Sequence, residues 1–156
     1  MDFHNDLISF ALPHGWESSE DDDGNILCYD PYDLTIWLQV ELMGVEKPGE
    51  QLSARSFLAE CYTEEIKDGT ARSEEIDPQT TLVTRMIAVE HEGIPYAISY
   101  FHVAHNPDED DIQLAQFGFA FPENLARTER TVALEKFFGN VARTAVFYPW
   151  ASDGSL

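Results

Sequence analysis

An acidic stretch near the start of the chain, SSEDDDGNILCYD (residues 18–30), carries the side chains best suited to bind a metal ion. Alignment with a calcium loop puts Gly24 at the sixth position and Asp21, Asp23 and Asp30 at ligand positions. The first position is a serine, a poor ligand, and Asp30 is one carbon shorter than the usual glutamate. The flanking residues alternate as strands, whereas a calcium loop needs helices. The pattern therefore favours a solvated hairpin turn at Asp23-Gly24.

No pattern elsewhere in the sequence indicates a particular catalytic reaction. None of the five histidines is spaced from a cysteine as a zinc site requires. His91 could form an acid–base set with Glu90 and Glu92, but a charged hairpin end is the favoured explanation of the three residues. The nucleophile elbow, the glycine-rich dinucleotide motif and the P-loop are all missing from the sequence. We expect no catalytic residue, no metal and no cofactor, and an enzyme with a dispersed active site is the alternative.

The charge of the chain limits its partners. The 156 residues include 29 acidic and 9 basic side chains, which gives a net charge of −20. Nucleic acid and anionic membranes would be repelled, so a protein partner of basic character is expected. No segment approaches the roughly 20 apolar residues of a membrane span, and the acidic N-terminus does not resemble a secretory signal. We expect a cytoplasmic protein, and the sequence leaves its oligomeric state open, a homo-oligomer included.

The two cysteines support the same compartment. Cys28 and Cys61 are too few for a disulfide framework, and each falls within an apolar pattern. We therefore predict that both are buried, reduced thiols that react slowly.

Hydrophobic periodicity predicts a sheet with two helices. Alternating apolar residues indicate strands, and helical spacing with suitable caps indicates helices at 53–69 and about 125–144. Short turns separate successive strands, so the sheet should be mainly antiparallel. We predict an α+β fold, an α/β/α sandwich in one domain, with its core at about 6–146 and a flexible tail at about 150–156. The predicted strands are 7–12, 16–20, 25–30, 33–43, 80–91, 94–104 and 111–121.

The segment FALPHGW, Phe10 to Trp16, resembles the F-x-L-P-x-G-W opening of the PsbP/Mog-like superfamily. The order of the predicted elements is also similar: early strands, a helix, a strand meander and a C-terminal helix. The resemblance covers roughly residues 6–146. It implies the fold, with Phe10, Leu12, Pro13, Gly15 and Trp16 as structural positions, and it implies a binding role, because members of this group mostly bind proteins.

A protein-binding or accessory role, adaptor-like or chaperone-like, is the function that these observations favour. An acidic inhibitor that neutralises a basic toxin is the alternative form of the same role. Contacts are expected at acidic connections between strands and at two aromatic residues that the alternation does not assign to the core. The candidate contact residues are Asp21, Asp22, Asp23, Asp108, Asp110, Asp111, Trp37 and Tyr32.

Overall fold

The computed structural model describes residues 2–46, 53–108 and 111–149, which contain ten strands and three α-helices. The predicted α+β class is confirmed, and the predicted tail at 150–156 lies outside these residues. In chain order the elements are β1 (Asp2–His4), β2 (Ile8–Ala11), β3 (Glu17–Glu20), β4 (Ile26–Asp30), β5 (Asp33–Glu46), α1 (Ala54–Cys61), α2 (Thr63–Asp68), β6 (Ala71–Asp77), β7 (Thr80–His91), β8 (Ile94–His105), β9 (Asp111–Pro122), α3 (Glu129–Thr144) and β10 (Val146–Phe147).

Seven strands form one antiparallel sheet in the order β3-β4-β5-β9-β8-β7-β6. Most neighbours in the sheet are also neighbours in sequence and are joined by hairpins. The exception is the pairing of β5 with β9, which runs from Trp37 opposite Ala120 to Glu46 opposite Asp111. This pairing places the two long strands side by side at the centre of the sheet. The remaining strands form a small sheet in the order β1-β2-β10.

The first face of the large sheet is covered by α3 and by the small sheet. Phe117 and Phe119, both fully buried on β9, point to this side. The Phe117 ring meets Phe10 of β2 at 5.3 Å, and the Phe119 ring meets Phe138 of α3 at 5.1 Å between centroids. Most of the apolar core therefore lies on this face.

The second face is covered by α1 and α2, but only at one end. Leu58 of α1 packs with Val83 of β7 and Ala104 of β8 in a separate small cluster. Leu82, the residue next to Val83, packs in the main core instead. Because successive strand residues point to opposite faces, α1 and α3 lie on opposite sides of the sheet. The predicted sandwich arrangement is thus present.

The first predicted helix, 53–69, is divided in the structure. Ser53 caps it as expected, since its hydroxyl accepts a hydrogen bond from the Ser56 amide, and Gly69 ends it in a left-handed conformation. Between these ends Tyr62 leaves the helical conformation, with φ −125°, and separates α1 from α2. The predicted burial of Cys61 is wrong: it is the last residue of α1 and is exposed, whereas Cys28 is buried.

Burial raises the pKa of the Cys28 thiol to about 12, and the pKa of Cys61 is also raised, by partial burial and by the charge of Glu60. Both cysteines are free thiols. A raised pKa reduces the thiolate fraction, so we still expect Cys61 to react slowly, although its exposed position leaves it accessible to reagents.

Three strands were not predicted. β6 has five exposed residues among its seven and lacks the apolar alternation of the other strands. It is an edge strand, so few of its side chains need to be apolar. β1 and β10 are three and two residues long and are formed only by pairing with β2. The C-terminal helix also begins later than predicted, at Glu129, after Thr128 accepts the capping hydrogen bond from the Thr131 amide.

The FALPHGW segment is a structural turn between β2 and β3. Phe10, Leu12 and Trp16 are buried in the main core. The Trp16 amide donates to the Pro13 carbonyl at 3.1 Å, and Gly15 has a φ of 83° that other residues rarely adopt. The motif thus directs the chain from the small sheet to the edge of the large sheet.

Candidate functional site

Half of the second face of the large sheet lies beyond the reach of α1 and α2. We call this surface the open half. A shallow depression of about 30 Å³ marks its centre, and among the described residues it is lined by strand residues alone. Gly118 and Ala120 form its floor, and larger side chains surround them. Leu27 and Met43 extend this surface and are 41% and 56% exposed. The depression is lined by Trp37, Gln39, Glu41, Ile98, Tyr100, Gln116, Gly118 and Ala120.

Trp37 is the largest side chain of the open half. It is half-buried, and its ring lies 5.3 Å from Tyr96 and 5.1 Å from His91, measured between centroids. The Tyr96 hydroxyl donates to the Thr35 carbonyl at 2.8 Å, which fixes the ring that supports Trp37. Trp37 is therefore held at the surface by neighbouring rings on strands β7 and β8, and part of it stays in contact with solvent.

A second aromatic group marks the border with the covered end. Tyr62, at the break between α1 and α2, stacks on His102 at 4.6 Å, and His102 stacks on Tyr100 at 5.2 Å. The Arg85 guanidinium lies over the rings of Tyr62 and Tyr100 at 4.9 and 5.1 Å, within the range of a cation–π contact. The break in the helix thus places Tyr62 where it joins the helix pair to the sheet.

Hydrogen bonds fix the protonation state of His102. Arg85 Nε can only donate, and it lies 3.0 Å from His102 Nε2, so that nitrogen must accept. The proton of the neutral ring is then on Nδ1, which lies 3.2 Å from the Tyr62 hydroxyl. Burial and the Arg85 charge lower the pKa of His102 to about 4. His102 is therefore a neutral, structural histidine near neutral pH.

The acidic turn between Asp21 and Gly24 is a hairpin, as predicted. β3 and β4 flank it, and Gly24 has a φ of 85°. Asp21 accepts hydrogen bonds from the amides of Asp23 and Asn25, both at 2.9 Å, and these bonds lower its pKa, with the Asn25 amide as the largest contribution. The carboxylate of Asp21 therefore holds the turn together. Asp22 and Asp23 are exposed.

The structure places the candidate contact residues in separate regions. The acidic turn adjoins the open half, because the strand that follows it carries Leu27. Asp108 lies in the connection from β8 to β9 and Asp111 is the first residue of β9, both at the covered end; the Asp111 amide donates to the Asp108 carboxylate at 2.9 Å. Asp110 lies outside the described residues. Tyr32, in the turn between β4 and β5, is 95% exposed.

Other kinds of site have little support in this part of the chain. Within residues 2–46, 53–108 and 111–149, no three side chains of the His, Cys, Asp and Glu types come together as a metal site. None of the helices found there is long and apolar enough to cross a membrane. His91, considered above as part of an acid–base set, packs instead against Trp37 and Tyr96.

No protein-family model and no curated protein matches the sequence. Solved structures do match the fold. A protein from Bacteroides thetaiotaomicron VPI-5482 aligns with 92% of this chain at 17% identity and a TM-score of 0.59, and the chain spans 46% of the length of that protein. LpqN, involved in cell envelope biogenesis of Mycobacterium tuberculosis, aligns with 91% of this chain and 83% of its own at 11% identity and a TM-score of 0.58.

These likenesses are of fold alone. The Ran-binding protein Mog1p of Saccharomyces cerevisiae is also among the matches, over 90% of this chain and 89% of its own, at 12% identity. Its TM-score of 0.45 is too low to support any argument about function. The resemblance of the FALPHGW segment to the PsbP/Mog-like superfamily therefore stays a prediction.

The sequence predicted Trp37 as a contact residue but did not predict that the residues around the depression belong to the same surface. Alternation within their strand predicts that Tyr96 and Tyr100 are buried; Tyr96 is buried, whereas Tyr100 is half-buried beside the depression. Strand alternation places Trp37, Tyr96 and Tyr100 on the same face once the pairing of β5, β9 and β8 is known. The pairing of β5 with β9 joins residues about 60 to 80 positions apart, from Glu46 with Asp111 to Trp37 with Ala120. A single sequence does not show which distant strands pair.

We predict that His102 makes folding stability depend on pH. Its folded pKa of about 4 lies below the ordinary value of 6.5, so the unfolded chain binds the proton more readily. Its contribution is complete above pH 6.5 and is lost as the pH falls. The expected loss of unfolding free energy is about 2 kcal/mol between about pH 7.5 and about pH 5. Urea denaturation at both pH values measures it.

His102→Gln removes the titrating group and is the control for this measurement. The variant should lose less stability than the wild type over the same interval, even if it is less stable at every pH. Carboxylates with lowered pKa values, such as Asp33 and Glu74, act at lower pH and do not interfere. An equal pH dependence in both proteins would show that His102 is not held neutral as described.

Proposed function

We propose that this chain is a non-catalytic accessory protein that binds a protein partner with the open half of its sheet. The observation that carries the proposal is the open half itself: a broad surface with Trp37 and Tyr100 around a floor of Gly118 and Ala120. Among the described residues, much of the first face is covered by α3 and the small sheet, and one end of the second face is covered by α1 and α2. A surface of this composition gains free energy when another chain covers it.

The shape of the open half favours a protein over a small ligand. Small-molecule sites enclose a few hundred Å³ or more, whereas the depression has about 30 Å³. Tryptophan and tyrosine are enriched in protein interfaces because they bury a large apolar area at little entropic cost. Trp37 is pre-positioned by Tyr96 and His91, so less freedom is lost when a partner binds.

Charge supports a partner of basic character. The net charge of −20 gives a negative field that would speed the approach of a basic protein. The acidic turn at Asp22 and Asp23 projects beside the open half, where it would meet the edge of a bound partner. Such rim charges act mainly on the rate of association.

We predict that Trp37→Ala weakens partner binding, since it removes the central aromatic anchor. The partner is first identified by affinity capture and mass spectrometry and then purified for measurement. The dissociation constant should rise by about tenfold or more, as for a hot-spot residue. Leu34→Ala is the matched control, because Leu34 is on the same strand, points to the opposite face and is 68% exposed. Equal affinity of the two variants would argue against the open half as the interface.

Replacement of Asp22 and Asp23 by Asn should slow association with the same partner at low salt. Asp21 is left in place because its carboxylate maintains the turn. Replacement of Asp2 and Asp6, two exposed acids near the small sheet, removes the same charge elsewhere and is the control. The difference should shrink as salt is added, since the Debye length falls to about 8 Å at physiological ionic strength. Unchanged association rates in stopped-flow measurements would exclude the acidic turn from recognition.

A further inference from the structure

The few basic residues of this acidic chain are concentrated at one place. Four of the nine lie around a cleft of about 510 Å³ between α3 and the start of β6. They come from three different elements: Arg72 from β6, Arg85 from β7, and Lys136 and Arg143 from α3. Acidic residues outnumber basic ones about three to one in the chain, yet Glu135 is the one acidic residue among the described lining residues.

Most of this positive charge is not paired within the described residues. Arg143 binds Glu74 through two hydrogen bonds of 2.9 and 3.1 Å, and Arg72 adds to the lowering of the Glu74 pKa without reaching ion-pair distance. Glu135 accepts a hydrogen bond from the buried Ser99 hydroxyl. In the described part of the chain, no carboxylate lies within ion-pair distance of Arg85 or Lys136.

Arg130 is an example of an arginine with a structural role, and its ion pairs can be compared with those of the cleft. It bridges Asp30 and Asp33 at 2.6 and 2.5 Å, so two carboxylates neutralise one guanidinium. Arg85 is treated differently: its Nε donates to the neutral His102, and its faces contact two tyrosine rings. By strand register Arg85 lies on the second face of β7, so it adds charge at the rim of the cleft rather than within it.

The cleft also has the shape of a binding site. Its volume falls within the usual range for small-molecule sites. Gly139 contributes to the space, because a Cβ there would lie 3.2 Å from the Arg143 guanidinium and 3.3 Å from the Phe101 ring. Phe101 and Met86 provide apolar wall. Cationic and apolar side chains together suit a ligand with both kinds of group.

We propose that this cleft binds a small organic anion that carries at least two adjacent negative charges, as phosphates or as carboxylates. Arg72 and Lys136 bind the charged groups directly, since they line the cleft from β6 and α3 and have no ion-pair partner among the described residues. Arg143 contributes the part of its guanidinium that Glu74 does not occupy. Arg85 adds to the positive potential at the rim. The site is on the opposite side of the sheet from the open half, so a negative result for one proposal leaves the other unaffected.

Isothermal titration calorimetry of the full chain with pyrophosphate, and separately with citrate, tests the proposal at constant ionic strength. We expect saturable binding of at least one of them at a single site. Binding of pyrophosphate alone assigns phosphate-bearing ligands, and binding of citrate alone assigns carboxylates. The double variant Arg72→Gln/Lys136→Gln should bind at least about tenfold more weakly, because two charge-assisted contacts are lost.

The double variant Arg55→Gln/Lys67→Gln is the matched control. It loses the same charge from exposed positions on α1 and α2 and should bind as the wild type does. Thermal melting of both variants verifies that they are folded. The proposal is overturned if neither anion binds in a saturable manner in the millimolar range, or if the control variant loses as much affinity as the cleft variant.

Discussion

The length of the helix pair α1 and α2 constrains the rest of this structure. α1 has 8 residues and α2 has 6, so each is about 9–12 Å long. Strands β7, β8 and β9 have 12 residues each and are about 40 Å long. A helix pair of this size can cover only one end of the second face. The first face has no such deficit, because α3, with 16 residues, and the small sheet share it.

The types of residue on the second face differ between the covered end and the open half. At the covered end the cluster is small and aliphatic, with Leu58, Val83 and Ala104 in contact. At the border, buried polar groups are satisfied: Arg85, His102 and Tyr62 bond and stack on one another. Beyond the border, two aromatic side chains, several polar ones and an isoleucine surround a floor of small residues. The same sheet thus serves as core on one side and as exposed surface on part of the other.

Local sequence signals predicted most of the fold. Alternation predicted β5 and the meander of β7, β8 and β9. The Asp23-Gly24 pair predicted the hairpin between β3 and β4, and Glu92-Gly93 is a pair of the same kind between β7 and β8. At the second hairpin both turn residues have positive φ, 51° and 79°, which is the conformation that such pairs favour. The apolar residues Phe138 and Val141 of α3 are buried as their helical spacing predicts.

The errors arise where tertiary contacts decide. β6 is polar because it is at the edge, and nothing in its own sequence requires a strand. In the continuous helix that was predicted, Cys61 would lie on the apolar side. In the structure α1 ends at Cys61, and Tyr62 stacks on His102. The basic cleft joins Arg72 to Lys136, 64 positions apart, and only the packing of α3 against the sheet brings them together. The overall composition predicts an acidic protein and gives no indication that basic residues cluster at this cleft.

Hydroxyl-radical footprinting of the free chain, read by mass spectrometry, tests the central claim that the described residues leave half of the second face uncovered. Trp16 is the internal reference, because it is 3% exposed and packs against Phe138. The structure predicts rapid oxidation of Trp37 and Met43 in the native protein, while Trp16 reacts only after unfolding. Protection of Trp37 and Met43 to the same degree as Trp16 would contradict an open half of the sheet.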